Sequence, residues 1–153
     1  MDSKYTIKFA DIDDVPAWME MITLMRYDFP CLENDNELEK HKPVVIKNIN
    51  RQSAICVKDN ERVIGALLFS FNQNRLGFMA VHPDYRRKGI GAAMIEKMLS
   101  ALPDDKDVWV RTFRGNDTKG VAARPLYRKM GFEEDALVME HDYPHQEFVL
   151  RRK

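Results

Sequence analysis

Val81-His82-Pro83-Asp84-Tyr85-Arg86-Arg87-Lys88-Gly89-Ile90-Gly91-Ala92 is the stretch on which the reading of this chain turns. Residues 76–81 before the cations are apolar and read as a strand. After the glycines, Met94, Ile95, Met98, Leu99 and Leu102 recur at helical spacing. Three cations and two glycines therefore stand at a strand-to-helix turn. A helix start presents unpaired backbone N–H groups and the positive end of the helix dipole. Glycine lets the main chain come close to a ligand. Together they make an anion site, suited above all to phosphates. No Gly-Lys-Ser/Thr follows, so a Walker loop is excluded. Gly89-Ile90-Gly91 lacks the third glycine of the dinucleotide fingerprint, and Arg111 stands where an acidic ribose partner belongs.

What remains is Arg86-x-x-Gly89-x-Gly91, with Ala92 after it. This pattern resembles the acetyl-CoA pyrophosphate loop of the GNAT N-acetyltransferase superfamily. Val81-His82-Pro83 and the later Leu126-Tyr127-Arg128-Lys129-Met130-Gly131-Phe132 match that superfamily's other signatures. The two motifs lie in the right order, about 40 residues apart. The resemblance covers essentially the whole chain, and its specific part is residues 76–132. It implies a single α/β domain over residues 1–153, with a mixed, mostly antiparallel sheet of about six to seven strands flanked by about four helices. It also implies an acetyl-CoA-dependent N-acetyltransferase. The rival from another class is a non-catalytic acyl-CoA-binding module that senses cofactor or regulates a partner.

Amine acetylation needs the donor held, its carbonyl polarised, the amine deprotonated and the leaving thiolate protonated. Arg86, Arg87, Lys88, Gly89, Ile90, Gly91 and Ala92 can hold a pyrophosphate by charge and backbone N–H. In the resembled fold the strand before this loop splays from its neighbour at a bulge and pairs with the pantetheine arm. By position, that role falls on the backbone of Met79, Ala80 and Val81, one N–H of which would polarise the thioester carbonyl. The resemblance makes Tyr127 the proton donor to the leaving thiolate, because a phenol of pKa about 10 stays protonated at neutral pH. The family often carries an asparagine seven residues before this tyrosine; here Gly120 stands there, Asn116 lies four residues earlier, and Arg124 is an alternative contact for the cofactor. No general base stands out: Glu140, His141, Asp28, Glu33 and a water chain all stay open. His82 reads as a local hydrogen-bonding residue. Cys56 reads as small core, and transfer is expected to be direct, in a ternary complex, without acylation of Cys31 or Cys56.

The composition is that of an ordinary water-soluble chain: 153 residues, 44% hydrophobic, 31% charged, formal net charge zero. Zero net charge argues against general nucleic-acid or membrane-surface binding. No apolar run approaches the roughly 18 residues that a membrane span needs. Two cysteines make neither a disulfide framework nor a zinc site, and a cytoplasmic setting without a metal is expected. Dimers occur in the resembled family, but nothing here specifies a homodimer.

Along the chain, residues 5–10 alternate as a first strand. Val15, Trp18, Met19, Ile22 and Met25 mark a core-facing helix. A polar run over 33–42 leads to a second helix over 44–49, started at Pro43. Residues 54–57 and 63–71 form a hairpin, 108–113 a central strand, and 136–140 and 147–150 the last strands. In the resembled family the segments between the first strand and the hairpin form one wall of the acceptor site, so Tyr27, Asp28, Phe29 and Glu33 are candidates to contact an amine, and Glu140 near the end of the chain is a further one.

Overall fold

The structure, a computed structural model, describes residues 4–29, 32–117 and 122–152. Its elements run β1 (Thr6–Phe9), α1 (Val15–Met25), α2 (Asp35–Asn50), β2 (Ala54–Asp59), β3 (Arg62–Ser70), β4 (Arg75–Val81), α3 (Ile90–Ala101), β5 (Val108–Phe113), α4 (Ala123–Lys129), β6 (Glu133–Glu140) and β7 (Tyr143–Leu150). Seven strands form one sheet in the order β1-β2-β3-β4-β5-β7-β6. Every pairing is antiparallel except β4 with β5. The expected α/β architecture, a mixed sheet with four flanking helices, is the one observed.

Strand alternation gives the sheet two apolar faces. Ile64, Leu67, Phe69, Val108, Val110 and Phe148 meet Ile90, Met94, Ile95 and Met98 of α3 and Tyr127 of α4. The opposite face carries small residues, Ala54, Cys56, Ala66 and Ala80, under Trp18, Met21, Ile22 and Met25 of α1 and Val45 of α2. Small side chains there leave room for the tryptophan, which is fully buried. The inward methionine of α1 is Met21; Met19 is only partly buried. Among the described residues no helix is long and apolar enough to cross a membrane.

Two boundaries differ from the sequence expectation. Helix α2 begins at Asp35, where the Asn34 side chain accepts from the Asn36 N–H, and it carries Pro43 inside. Its inward stripe is Leu38, His41, Val45 and Ile49, so a histidine sits where an apolar residue would have revealed the first two turns. Pro43 is exposed, so the carbonyl it leaves without an intrahelical partner faces outward. Strands β6 and β7 are also longer than expected. They join through His141 and Asp142 alone, whose φ values of 52° and 59° suit the tight I′-type hairpin turn. Tyr143, Pro144 and His145 thus belong to a strand instead of a loop.

Candidate active site

β4 and β5 pair only at their starts, Arg75 with Trp109 and Leu76 with Val110. Beyond that point they part. On the other side, β4 stays paired with β3, where Phe69 faces Leu76 and Leu68 faces Phe78; Gly77 is the extra, bulged residue. The edge of β4 from Gly77 to Val81 that faces β5 is therefore free of a ladder partner. Glu147 of β7 clamps the closed end of this opening. Its carboxylate accepts from Arg75 at 2.7 and 3.1 Å and from Arg111 Nε at 2.5 Å, tying β4, β5 and β7 together. Burial alone would raise this carboxyl, but the two guanidinium groups outweigh it and hold it below its ordinary value.

The loop after β4 lies at the open end. His82 is buried, its Nδ1 accepting from the Asp84 N–H at 3.1 Å, and burial followed by the charge of Arg62 holds it below its ordinary pKa. This is the local role expected for it. Gly89 caps α3 in the left-handed region (φ 76°) and supplies no side-chain cap. The Ala93 N–H bonds to the Gly89 carbonyl at 3.0 Å, which leaves the preceding N–H groups of the first turn as the free ones. Arg86, Arg87 and Lys88 are exposed around this turn. Gly91 serves a different purpose from Gly89. It is buried, and a Cβ there would sit 2.8 Å from Leu126 Cδ2 and 3.9 Å from Met79. Its missing side chain makes room for α4 and for β4.

Helix α4 bridges the free end of β5 and the start of α3. Leu126 meets Gly91, and Arg124 Nη1 donates to the Phe113 carbonyl at 3.0 Å. Arg124 also donates to Gln146 Oε1 (2.8 Å) and Glu134 Oε1 (2.6 Å) and lies 4.9 Å from the Phe148 ring centroid. Arg124, expected as an alternative cofactor contact, has its guanidinium buried and engaged in holding α4 to the sheet. Tyr127, on the same short helix, packs against Phe132 and Phe148. Its ring is 4% exposed, and burial holds the phenol well above its ordinary pKa. Among the described residues its hydroxyl has no hydrogen-bond partner. No buried side-chain nitrogen or oxygen of those residues is sealed without a partner, so this oxygen keeps access to the surface.

On the α1–α2 side of the sheet a second group of residues converges. Phe29 packs on Phe78 of β4 at 4.9 Å, and Asp28 lies 3.8 Å from Arg86, so the wall expected after α1 reaches both β4 and the cationic loop. Tyr27 is 68% exposed and stays outside this packing, beside Arg26. Opposite, an open cleft of about 490 Å³ is lined by Arg114, Asn116, Asp117, Tyr143 and Pro144. The Tyr143 hydroxyl donates to Asp117 at 2.7 Å; this bond, then burial, then the charges of Asp117 and Glu33 hold the phenol above its ordinary value. Glu33 is thereby placed near this cleft. Glu140 Oε2 lies 3.5 Å from His145 Nε2. The sequence reading overlooked Glu147, Asp117, Tyr143 and His145, which carry no motif and meet only through strand register. Asn116 belongs to this cleft with the hairpin residues. Gly120 and Cys31 lie outside the described residues, while Cys56 is fully buried with its thiol pushed up to about 12, mainly by burial.

Comparison with known proteins agrees with this geometry. The chain belongs to the GNAT acetyltransferase family: the model of the acetyltransferase (GNAT) domain matches residues 50–134, more than half of the chain. That membership carries the coarse activity, acetyl transfer from an acyl-CoA. No curated protein sequence matches. Among solved structures, the chain is similar in fold to a GNAT-family acetyltransferase from Bacillus cereus (TM-score 0.74, 19% identity, covering 97% of this chain and 98% of that one). It is also similar to an N-acetyltransferase from Staphylococcus aureus (0.74, 14%, 94% and 99%). A third likeness is the PaiA N-acetyltransferase of Thermoplasma acidophilum, solved with coenzyme A (0.67, 15%, 100% and 100%).

Proposed function

We propose that residues 1–153 form one N-acetyltransferase unit that moves an acetyl group from acetyl-CoA to a primary amine by direct transfer in a ternary complex. One observation carries this reading. The free edge of β4 leads straight into the uncapped start of α3 with its cations, and the short helix that carries Tyr127 meets that start at Gly91. When bound there, acetyl-CoA supplies the activated acyl group. Arg86, Arg87 and Lys88 hold its pyrophosphate by charge, and the first-turn N–H groups from Gly89 to Ala92 by hydrogen bonds. The backbone of Met79, Ala80 and Val81 pairs with the pantetheine arm, and one of its N–H groups polarises the thioester carbonyl. Asp28, Phe29, Glu33 and Glu140 contact the acceptor, with Tyr27 at the rim. The placement of Asn116 in the acceptor-side cleft favours an acceptor contact over a cofactor contact.

Tyr127 acts on the departing sulfur. A thiol has a pKa of about 8.5 and a phenol about 10, so full transfer of the phenol's proton to a thiolate is uphill by about 2 kcal/mol. Burial of Tyr127 widens that gap. The hydroxyl therefore donates a hydrogen bond that stabilises the sulfur as charge develops, and the amine supplies the net proton once its nitrogen is acylated. Direct transfer fits Cys56, whose thiol is buried and held protonated.

Neutralising Arg86, Arg87 and Lys88 together to alanine tests the cofactor assignment without disturbing the core, because all three are exposed. Calorimetry should show acetyl-CoA affinity falling by at least about tenfold, or 1.4 kcal/mol. Unchanged affinity in the folded variant would remove the loop from the site. A panel of amines with a free-thiol readout then tests transfer. Tight acetyl-CoA binding with no thiol released by any amine would favour the non-catalytic acyl-CoA sensor.

A further inference from the structure

Resting on the transferase reading, the geometry points to His145 as the base that takes the proton from the acceptor ammonium. His145 lies on β7 directly opposite Phe113, the last residue of β5, and so one strand spacing, about 4.8 Å, from the free edge of the opening. Its side chain lies on the same face as Phe113, with ring centroids 5.1 Å apart, and it is 8% exposed. The next residues along the strand, Tyr143 and Pro144, line the acceptor-side cleft. Nδ1 lies 2.8 Å from the Tyr143 carbonyl, an acceptor, so Nδ1 carries the hydrogen and the lone pair is left on Nε2. Glu140 of the paired strand faces Nε2 at 3.5 Å and would hold the imidazolium once it forms. Both ends of the ring are thus arranged for a base: one fixes the tautomer, the other receives a proton beside a waiting carboxylate.

The charged and titratable groups facing this ring from each packed element are few. Glu140 comes from β6, Tyr143 from β7 itself, and Arg114 from the end of β5, with Asp117 behind Tyr143 and Glu33 beyond it. Arg114 is already committed, donating to the His145 carbonyl at 3.0 Å and to the Val138 carbonyl at 3.1 Å, so it anchors the hairpin. The balance of protons follows. The ammonium loses one proton to Nε2 and its freed lone pair forms the C–N bond. The C–S bond breaks, and the second amine proton, made acidic by acylation, goes to the sulfur. The proton on His145 returns to solvent past Glu140.

His145→Asn is the test, since asparagine keeps a donor near Nδ1 for the Tyr143 carbonyl and removes the titrating nitrogen. With n-butylamine and spermidine as probe acceptors, kcat should fall by at least about 10²-fold. The acidic limb of the wild-type kcat/KM profile should vanish, and added imidazole should restore part of the rate. Acetyl-CoA affinity by calorimetry should stay the same; a folded variant that loses it would assign His145 to structure and overturn the proposal. A wild-type rate or an unchanged acidic limb would overturn it too. Nitrogen-15 spectra, taken at a pH alkaline enough that the ring is neutral, give a readout that needs no acceptor: the neutral ring should carry its hydrogen on Nδ1 and leave Nε2 bare, and the opposite tautomer would refute the assignment. If wild type binds acetyl-CoA yet acetylates neither amine, the transferase reading is what fails, and the tautomer still decides the geometry claimed for His145.

Discussion

Tyr127 is a core side chain to which we assign chemistry. Its ring packs against Phe132 and Phe148, while among the described residues its oxygen has no hydrogen-bond partner. Tyr127→Phe removes only that oxygen. Stability should change by no more than about 1 kcal/mol, because no intramolecular hydrogen bond is lost. If the hydroxyl stabilises the developing thiolate, the single-turnover rate should drop by roughly 10²-fold, the usual scale for losing one such donor. Acetyl-CoA affinity should barely move, since the interaction strengthens only as charge develops. Rapid-quench measurement of the chemical step separates this from slow product release. A Phe variant with an unaltered chemical step would leave Tyr127 with packing alone.

At the scale of elements, the site depends on how closely α3 and α4 approach. Gly91 and Leu126 form that contact: an added Cβ would lie 2.8 Å from the leucine methyl. Gly91→Val should therefore overpack the junction and lower stability by about 1–3 kcal/mol, measured by urea unfolding. The start of α3 would move with it, so acetyl-CoA affinity should weaken as well. The cause is identified by a second substitution. Leu126→Ala opens the space, and in a double-mutant cycle the two changes should couple favourably by about 0.5–3 kcal/mol. Strictly additive effects would mean that the glycine serves the ligand and not the helix contact. Arg124, with its bonds to β5, β6 and β7, holds the other end of the same short helix.

For the molecule as a whole, α1, α2 and the sheet are joined through a neutral buried histidine. His41 accepts from the Trp18 indole at 3.2 Å and stacks near Phe78 at 4.9 Å. Burial lowers its pKa from 6.5 to about 4. Below pH 6.5 the unfolded chain takes up a proton at this site that the folded chain refuses. The stabilisation is thus complete above pH 6.5 and is lost progressively as pH falls toward 4. At about 1.4 kcal/mol per pKa unit, the loss reaches roughly 3 kcal/mol. His41→Gln keeps an acceptor for Trp18 without titrating. Urea unfolding from pH 7 to pH 4.5 should show a shallower acid decline for that variant. Parallel declines for the two proteins would mean that His41 is not the group responsible.

The sequence by itself determined the family-defining core of this protein. The turn from β4 through Arg86, Gly89 and Gly91 into α3, and the run from Leu126 to Phe132, are local patterns, and local patterns survive as spacing. The inward stripe of α1 was legible for the same reason. Tertiary structure alone decided the rest. The first turns of α2 were hidden because His41 takes a core position. The hairpin β6–β7 was cut short because Tyr143-Pro144-His145 looks like a turn until strand register pairs it. Arg124 went to an internal clamp because the sheet offers it three acceptors and an aromatic face. Tyr143 and Glu147 meet Asp117, Arg75 and Arg111 only once β7 lies beside β5, and His145 meets Glu140 only once β6 folds back along β7. Partners 26, 36 and 72 positions apart leave no periodic trace in a single sequence. The reason is physical: helices and turns are set by neighbours along the chain, whereas a site built across a sheet is set by which strand lies next to which.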